Sequence, residues 1–251
     1  MLAPFKGSNN KLLRARKHLR DLDNILLEYQ RTLTFRFEPI AGDVEFETIT
    51  FEPAPPNEYV ALVAGDCVHN ARSSLDLMVC DIARIRGKST AKLKFPFAAT
   101  KSDYEDLVLN GELRRLGEDV QQEFLFLSPY RGGDDLLRGL HDLDIADKHL
   151  LLLPVVECTF MQFDLGAHLS EVMGQNIAFF SGTGGASQRL LERSGGRVPV
   201  DPEYRRHLQK GDVTTVFGDN LPFAGNDVQA TLDKMICLAG DIVERMSGKF
   251  S

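Results

Sequence analysis

The sequence predicts an α+β fold, a bundle of four to six helices with a small antiparallel β-sheet. Three observations lead there. Leu12, Ala15, Leu19, Leu22, Leu26 and Tyr29 recur at alternating steps of three and four, which places them on one helical face. A second long apolar-periodic stretch runs from Asn57 to Arg86, between the prolines Pro53, Pro55 and Pro56 and the stop at Gly87. Between and after these helices lie segments of strand character, TLTFRFEPIAGDVEFETITFEP near the start and LLLPVVECTFMQF later on.

Taken in order, the first helix is capped by Ser8 or Asn9 and covers about 8–31. The partly alternating segment around Ala41-Gly42-Asp43 predicts a hairpin within about 33–52. After the long helix, KFPFA at Lys94–Ala98 reads as a short extended piece. Helices near 101–110 and 117–127 precede the loop Ser128–Gly133, and a further helix spans roughly Asp134–His149. Strands then come from LLLPVVECTFMQF, from NIAFF at Asn176–Phe180 and from DVTTVF at Asp212–Phe217. The stretch Gly182–Pro199 has room for one short helix, and the last helix covers about 226–247. The bundle thus draws on 8–31, 57–149 and 226–247, and the sheet on 33–52 and 150–218. If early and late strands share one sheet, residues 1–251 form a single domain.

The formal charge of −7 opposes long-range attraction of polyanions, so nucleic-acid binding needs a local basic patch. Cys67, Cys80, Cys158 and Cys237 are far apart and form no CxxC pair, which reads as reduced, packed thiols in a cytoplasmic protein. The longest apolar run, Leu150–Val156, is far short of the ~20 residues that span a bilayer, so no membrane partner is expected. No cofactor motif is expected either. Ser181–Ser187 puts a serine where a dinucleotide loop has its third glycine, and there is no GxxxxGK[ST].

Two polar clusters carry the functional question. On the second long helix Asp66, His69, Arg72, Ser73 and Asp76 fall on one stripe, with Asn70 beside it. Val63, Cys67, Ala71, Leu75, Met78 and Ile82 cover the other face, and Leu62, Leu77, Val79 and Cys80 flank the stripe. A helix apolar most of the way round is usually central, so its polar stripe needs partners or a cleft. In the helix from Asp134, Leu136, Leu140 and Leu143 define the buried face, and Asp144 and Asp147 continue it; His141, Asp142, Lys148 and His149 lie near by. Carboxylates on a core-facing stripe call for partners. We therefore expect Arg72 or His69 to contact Asp144 or Asp147 across the bundle. As a catalytic set the candidates are His69, Arg72, Asp76, Asp144, Asp147, Lys148 and His149, and no metal is expected because no spacing matches a strong ligand motif. The His141-Asp142 pair spells the HD dipeptide of metal-dependent phosphohydrolases, a short signal. No GxSxG motif appears, which leaves nucleophilic catalysis without sequence support. Arg14, Arg16, Lys17 and Arg20 make the first helix the best local candidate for RNA phosphates.

HNARSSLD at His69–Asp76, with IADKH at Ile145–His149, resembles a bacterial protein family that carries an HNxRSxLDH-like helix and a DKH segment; that family has no assigned activity. More remotely, the chain is similar to HEPN or Abi-like helical domains of bacterial defence systems. That likeness implies a helical bundle, often homodimeric, that binds RNA or a protein partner, and in active members a metal-independent ribonuclease with an Arg followed by a His. Arg72 matches the Arg, whereas Leu77 stands where RxxxxH has its His and His69 precedes the Arg. The two readings are a partner- or RNA-binding bundle and a hydrolase centred on the His69/Arg72 and Asp144/Asp147/His149 clusters.

Overall fold

The helices form where the chain supplies both an apolar stripe and a start signal. In the computed structural model, which describes residues 3–150, 154–162, 188–193, 196–200 and 208–250, the fold is α+β. Its described helices are α1 (Lys6–Thr32), α2 (Asn57–Ile85), α3 (Lys101–Leu109), α4 (Glu118–Leu127), α5 (Asp135–Leu150) and α6 (Val228–Phe250), with a 3-10 turn at Glu112–Leu116. Its strands are β1 (Thr34–Pro39), β2 (Phe46–Glu52), β3 (Pro154–Gln162), β4 (Gln188–Arg193), β5 (Arg197–Pro199) and β6 (Leu208–Phe217). Among the described residues no helix is long and apolar enough to cross a membrane.

Start signals are explicit. Thr100 accepts the Asp103 N–H and donates its hydroxyl to the Asp103 carboxylate, a reciprocal cap for α3. Asp134 accepts from Leu137 N–H at 2.9 Å and Asp227 from Ala230 N–H at 2.7 Å, capping α5 and α6. At α1 the cap is long-range: Asp81 of α2 accepts the Phe5 N–H at 2.9 Å, placing a carboxylate at the positive end of the helix. Gly87, at φ +63°, ends α2, with Lys88 N–H returning to the Ala83 carbonyl.

The chain gathers into two compact units. The first takes Met1–Asn24, Glu58–Pro154 and Phe217–Ser251. It holds α1 up to Asn24, α2 from Glu58 onward and all of α3 to α6, around fully buried Leu22, Leu75, Met78, Ile82, Phe95, Tyr104, Phe124, Leu137 and Leu140. The Cys67 thiol donates to the Ala15 carbonyl at 3.4 Å, which shows how closely α1 and α2 approach. On α1 the buried stripe differs from expectation at one position: Leu12, Ala15 and Leu22 are buried, but His18 is buried where Leu19 is only half-buried. The KFPFA segment is irregular backbone, not a strand. It carries Phe95 and Phe97, whose rings lie 4.8 Å apart.

The second unit takes Ile25–Asn57 and Val155–Val216. The expected hairpin is there, with β1 antiparallel to β2 in the register Phe35↔Phe51 and Phe37↔Ile49. Asp43 accepts the N–H groups of Glu45 and Phe46 and so closes its turn. Among the described residues the strands form two sheets instead of one, although the late strand β5 does pair with β2 of the early hairpin. One sheet has the order β1-β2-β5 and the other β4-β3-β6. Tyr29, Leu33, Ile49, Phe51, Val156, Cys158 and Val213 nevertheless make one core, against which Phe35 and Phe37 pack. Within Gly182–Pro199, where a short helix was expected, the described residues are the strands β4 and β5. Asn176–Phe180 and Ser181–Ser187 lie outside the described residues.

Candidate functional site

Helices α2 and α5 bring the two polar clusters together. On α2, His69 and Ser73 are one turn apart. His69 Nδ1 lies 3.1 Å from Asp144 Oδ1 on α5, and His69 Nε2 lies 3.3 Å from Ser73 Oγ. The second oxygen of Asp144 accepts from Lys148 Nζ at 2.5 Å. Asp144 is 4 % exposed, whereas the His69 side chain is 49 % exposed, so a buried carboxylate holds a ring that faces outward. Burial by itself would raise the Asp144 pKa, but the hydrogen bonds from Lys148 and His69 outweigh it and hold the carboxyl below its usual range. Asp144 is therefore ionised at neutral pH and only accepts, so in the neutral form of the His69 ring the proton sits on Nδ1 and Nε2 carries the lone pair. The expected contact between His69 or Arg72 and Asp144 or Asp147 is the His69–Asp144 pair.

Arg72 serves a different end. It is 8 % exposed and pairs with Asp76 one turn on, while Asp76 also accepts the Phe95 N–H at 2.8 Å. Its guanidinium lies 4.7 Å over the Phe97 ring, and its Nε donates to His141 Nδ1 at 3.4 Å. The His141 ring stacks on Phe97 at 4.5 Å with an interplanar angle of 5°. Burial, together with the Arg72 and Arg138 charges, pushes the His141 pKa down to about 4, so the ring is neutral and accepts from Arg72. Asp142 pairs with Arg138, which also donates to the Ala98 carbonyl. The HD dipeptide is thus spent on packing the KFPFA segment, and among the described residues no three His, Cys, Asp or Glu side chains are placed to hold a metal ion. Asp147 lies over Gly65 of α2, and the His149 side chain lies outside the described residues.

A second concave region runs along α1 and α2. One pocket of about 410 Å³ is lined by Gly7, Asn10, Lys11, Arg14, His18, Asp66, Asn70 and Leu77. Lys11 Nζ donates to Asn70 Oδ1 at 3.1 Å, and Asn70 Nδ2 donates to the Asp66 carbonyl at 2.7 Å. Arg14 Nε donates to His18 Nε2 at 3.2 Å. A neighbouring pocket of about 470 Å³ shares His18 and Asp66 and adds Asp21, Tyr59, Leu62, Val63 and Asp147. Of the predicted RNA-binding residues, Arg14 lines the first pocket, Arg16 and Arg20 are exposed, and Lys17 is paired with Asp21 at 2.7 Å. No family model, curated protein or solved structure matches this chain. The site stands on its own geometry.

Sequence reasoning missed Phe97 and gave Lys11, Asn70 and Ser73 no role in a site. Lys11 and Asn70 reach the pocket because α1 and α2 pack closely, a non-local fact. Phe97 anchors Arg72 and His141 from a segment with no periodicity to orient it. Ser73 was legible: its one-turn spacing from His69 is local, but a search for GxSxG passes over it because that motif describes a strand-to-helix elbow and not a helix face.

Proposed function

We propose that the protein binds single-stranded RNA through α1, with a phosphate seated at the pocket between α1 and α2. The observation that carries this reading is the convergence of Lys11 and Arg14 with Asn10 and Asn70 on one pocket. From Lys6 to Arg20 the chain holds six Lys or Arg and no carboxylate, although its net charge is −7. Exposed Arg16 and Arg20 extend that cationic strip along the helix. A phosphodiester needs such donors because neutralising phosphates releases counterions, which supplies most of the affinity. The remote likeness of the chain to HEPN-like helical domains, in which Arg72 matches the motif arginine, implies the same class of ligand.

The test is fluorescence anisotropy with a mixed-sequence oligoribonucleotide between about 50 and 200 mM salt. Affinity should fall steeply with salt, and Lys11→Ala and Arg14→Ala should each flatten the log–log slope by roughly 0.7, the value of one single-strand phosphate contact. Binding that is absent at the lowest salt, or indifferent to both substitutions, overturns the reading.

One observation favours a second reading, a metal-independent hydrolase. His69 presents Nε2 outward while a buried carboxylate fixes Nδ1, the arrangement a general base requires. Incubation of the labelled oligoribonucleotide in EDTA tests it. Cleavage lost in His69→Gln supports it, and an intact strand or His69-independent cleavage counts against it.

A further inference from the structure

We infer that Ser73 is an acyl-accepting nucleophile, activated by His69 and oriented through Asp144, and that the substrate class is an activated carboxylic ester. This rests on the second reading above, that His69 is the reacting base, and goes beyond it in naming the nucleophile and the substrate. The order of contacts is what carries the inference. In a serine–histidine–aspartate relay the carboxylate binds Nδ1 and the hydroxyl binds Nε2. Here Asp144 Oδ1 is 3.1 Å from His69 Nδ1, and Ser73 Oγ is 3.3 Å from His69 Nε2. With Nδ1 protonated toward the ionised carboxylate, Nε2 can only accept, so the Ser73 hydroxyl donates to it. The adjacent Ser74 has a different role: it is fully buried and donates to the Ala71 carbonyl. Lys148 on the second oxygen of Asp144 balances the buried charge and holds the carboxylate in place.

The step balances without any further reagent. Ser73 Oγ attacks the carbonyl carbon as its proton passes to His69 Nε2. The tetrahedral intermediate collapses with loss of the alkoxide, which takes that proton from His69. Water, deprotonated by His69 in turn, then releases the carboxylic acid and restores the Ser73 hydroxyl. Ser73 lies in the middle of α2, where the main-chain N–H groups are committed to the helix, so no backbone pair is free to receive an oxyanion. That restricts the site to substrates with a good leaving group, aryl esters before alkyl esters, and excludes unactivated amides.

The experiment uses the full chain, a fluorophosphonate probe and p-nitrophenyl acetate, with peptide mapping by mass spectrometry. The expected result is a single phosphonyl adduct on the peptide holding Ser73, absent in Ser73→Ala. Esterase activity should fall about a hundredfold or more in His69→Gln, the usual effect of losing a general base. Ser73→Ala should melt at the wild-type temperature, since among the described residues Ser73 bonds only to His69, while the His69→Gln melting temperature is measured alongside because His69 also bonds the buried Asp144. An adduct elsewhere, or none, overturns the assignment of Ser73. If RNA is still cleaved by wild type and Ser73→Ala alike, His69 remains the base and only the serine is wrong. If His69→Gln changes neither activity, both the relay and the hydrolase reading fall.

Discussion

The carboxyl group of Asp147 on α5 rests directly over the Cα of Gly65 on α2. A Cβ built at position 65 would lie 2.6 Å from Asp147 Cγ, closer than packed atoms approach. Gly65 is therefore what lets the two helices come near enough for His69 to reach Asp144.

Gly65→Ala tests this directly. Alanine gains up to about 1 kcal/mol in an exposed helix, while overpacking costs about 1–3 kcal/mol. We expect the clash to prevail, with a net loss near 1 kcal/mol in denaturant unfolding. Adding Asp147→Ala should remove the clash and turn the same glycine substitution stabilising. A double-mutant cycle with no coupling between positions 65 and 147 would refute the close approach.

Arg72→Ala should destabilise the fold by about 3 kcal/mol, because it takes a buried charge from Asp76 and empties the face of Phe97. Arg72→Lys should recover little, since an ammonium cannot at once pair with Asp76, lie flat on Phe97 and donate to His141. Chemical denaturation of the two variants side by side is sufficient. Near-complete rescue by lysine would show that charge alone matters there.

Acid should weaken the fold through His141. Its folded pKa of about 4 lies below the ordinary histidine value of 6.5, so between these pH values the unfolded chain binds the extra proton. Stability is then full above the unfolded pKa and is lost as pH falls from 6.5 toward 4, by up to about 3 kcal/mol. The charges facing the ring are Arg72 and Arg138, which oppose protonation, and Asp142 and Asp144, which favour it. Asp144 adds a second loss at lower pH: its folded pKa is depressed below 3.8, so its contribution disappears as pH falls through that folded value. Melting curves of wild type and His141→Phe should converge as pH falls from 7 to 4 if this is right; parallel curves would exclude His141 as the titrating group.

Leu75→Ala removes a fully buried side chain from the middle of α2 and should cost about 2–5 kcal/mol. Leu62→Ala, on the same helix but 54 % exposed, should cost under about 1 kcal/mol. Equal effects would mean that the faces of α2 are wrongly assigned.

The bounds of α2 were legible because prolines precede it and Gly87 follows it, so expectation and structure differ there by a single residue at Ile85. The hairpin was legible from local alternation. What escaped was decided at a distance. Gln188–Arg193 contains good helix formers, yet its backbone pairs with β3 in the register Leu190↔Phe160, and that partner is far away in sequence. The burial of His18 in place of Leu19 reflects its contacts with Arg14 and Asp21. The His69–Asp144 contact was anticipated because a carboxylate on an apolar stripe demands a partner. Which carboxylate, and that Arg72 would turn to Asp76 instead, depended on how α5 lies along α2.

The first unit is drawn from three separated stretches of chain, and its last helix ties back to its middle: Arg245 Nε donates to Glu123 at 3.0 Å, and Lys249 reaches the same carboxylate. A ribosome delivers α1, α2 and α5 long before α6. Until α6 emerges, the apolar faces that meet it stay wet and Glu123 has neither cation. The His69–Asp144 seam can thus be synthesised well before the core around it is closed. Since α5 is a helix that α6 packs against, its apolar face is the surface left exposed during synthesis until α6 follows.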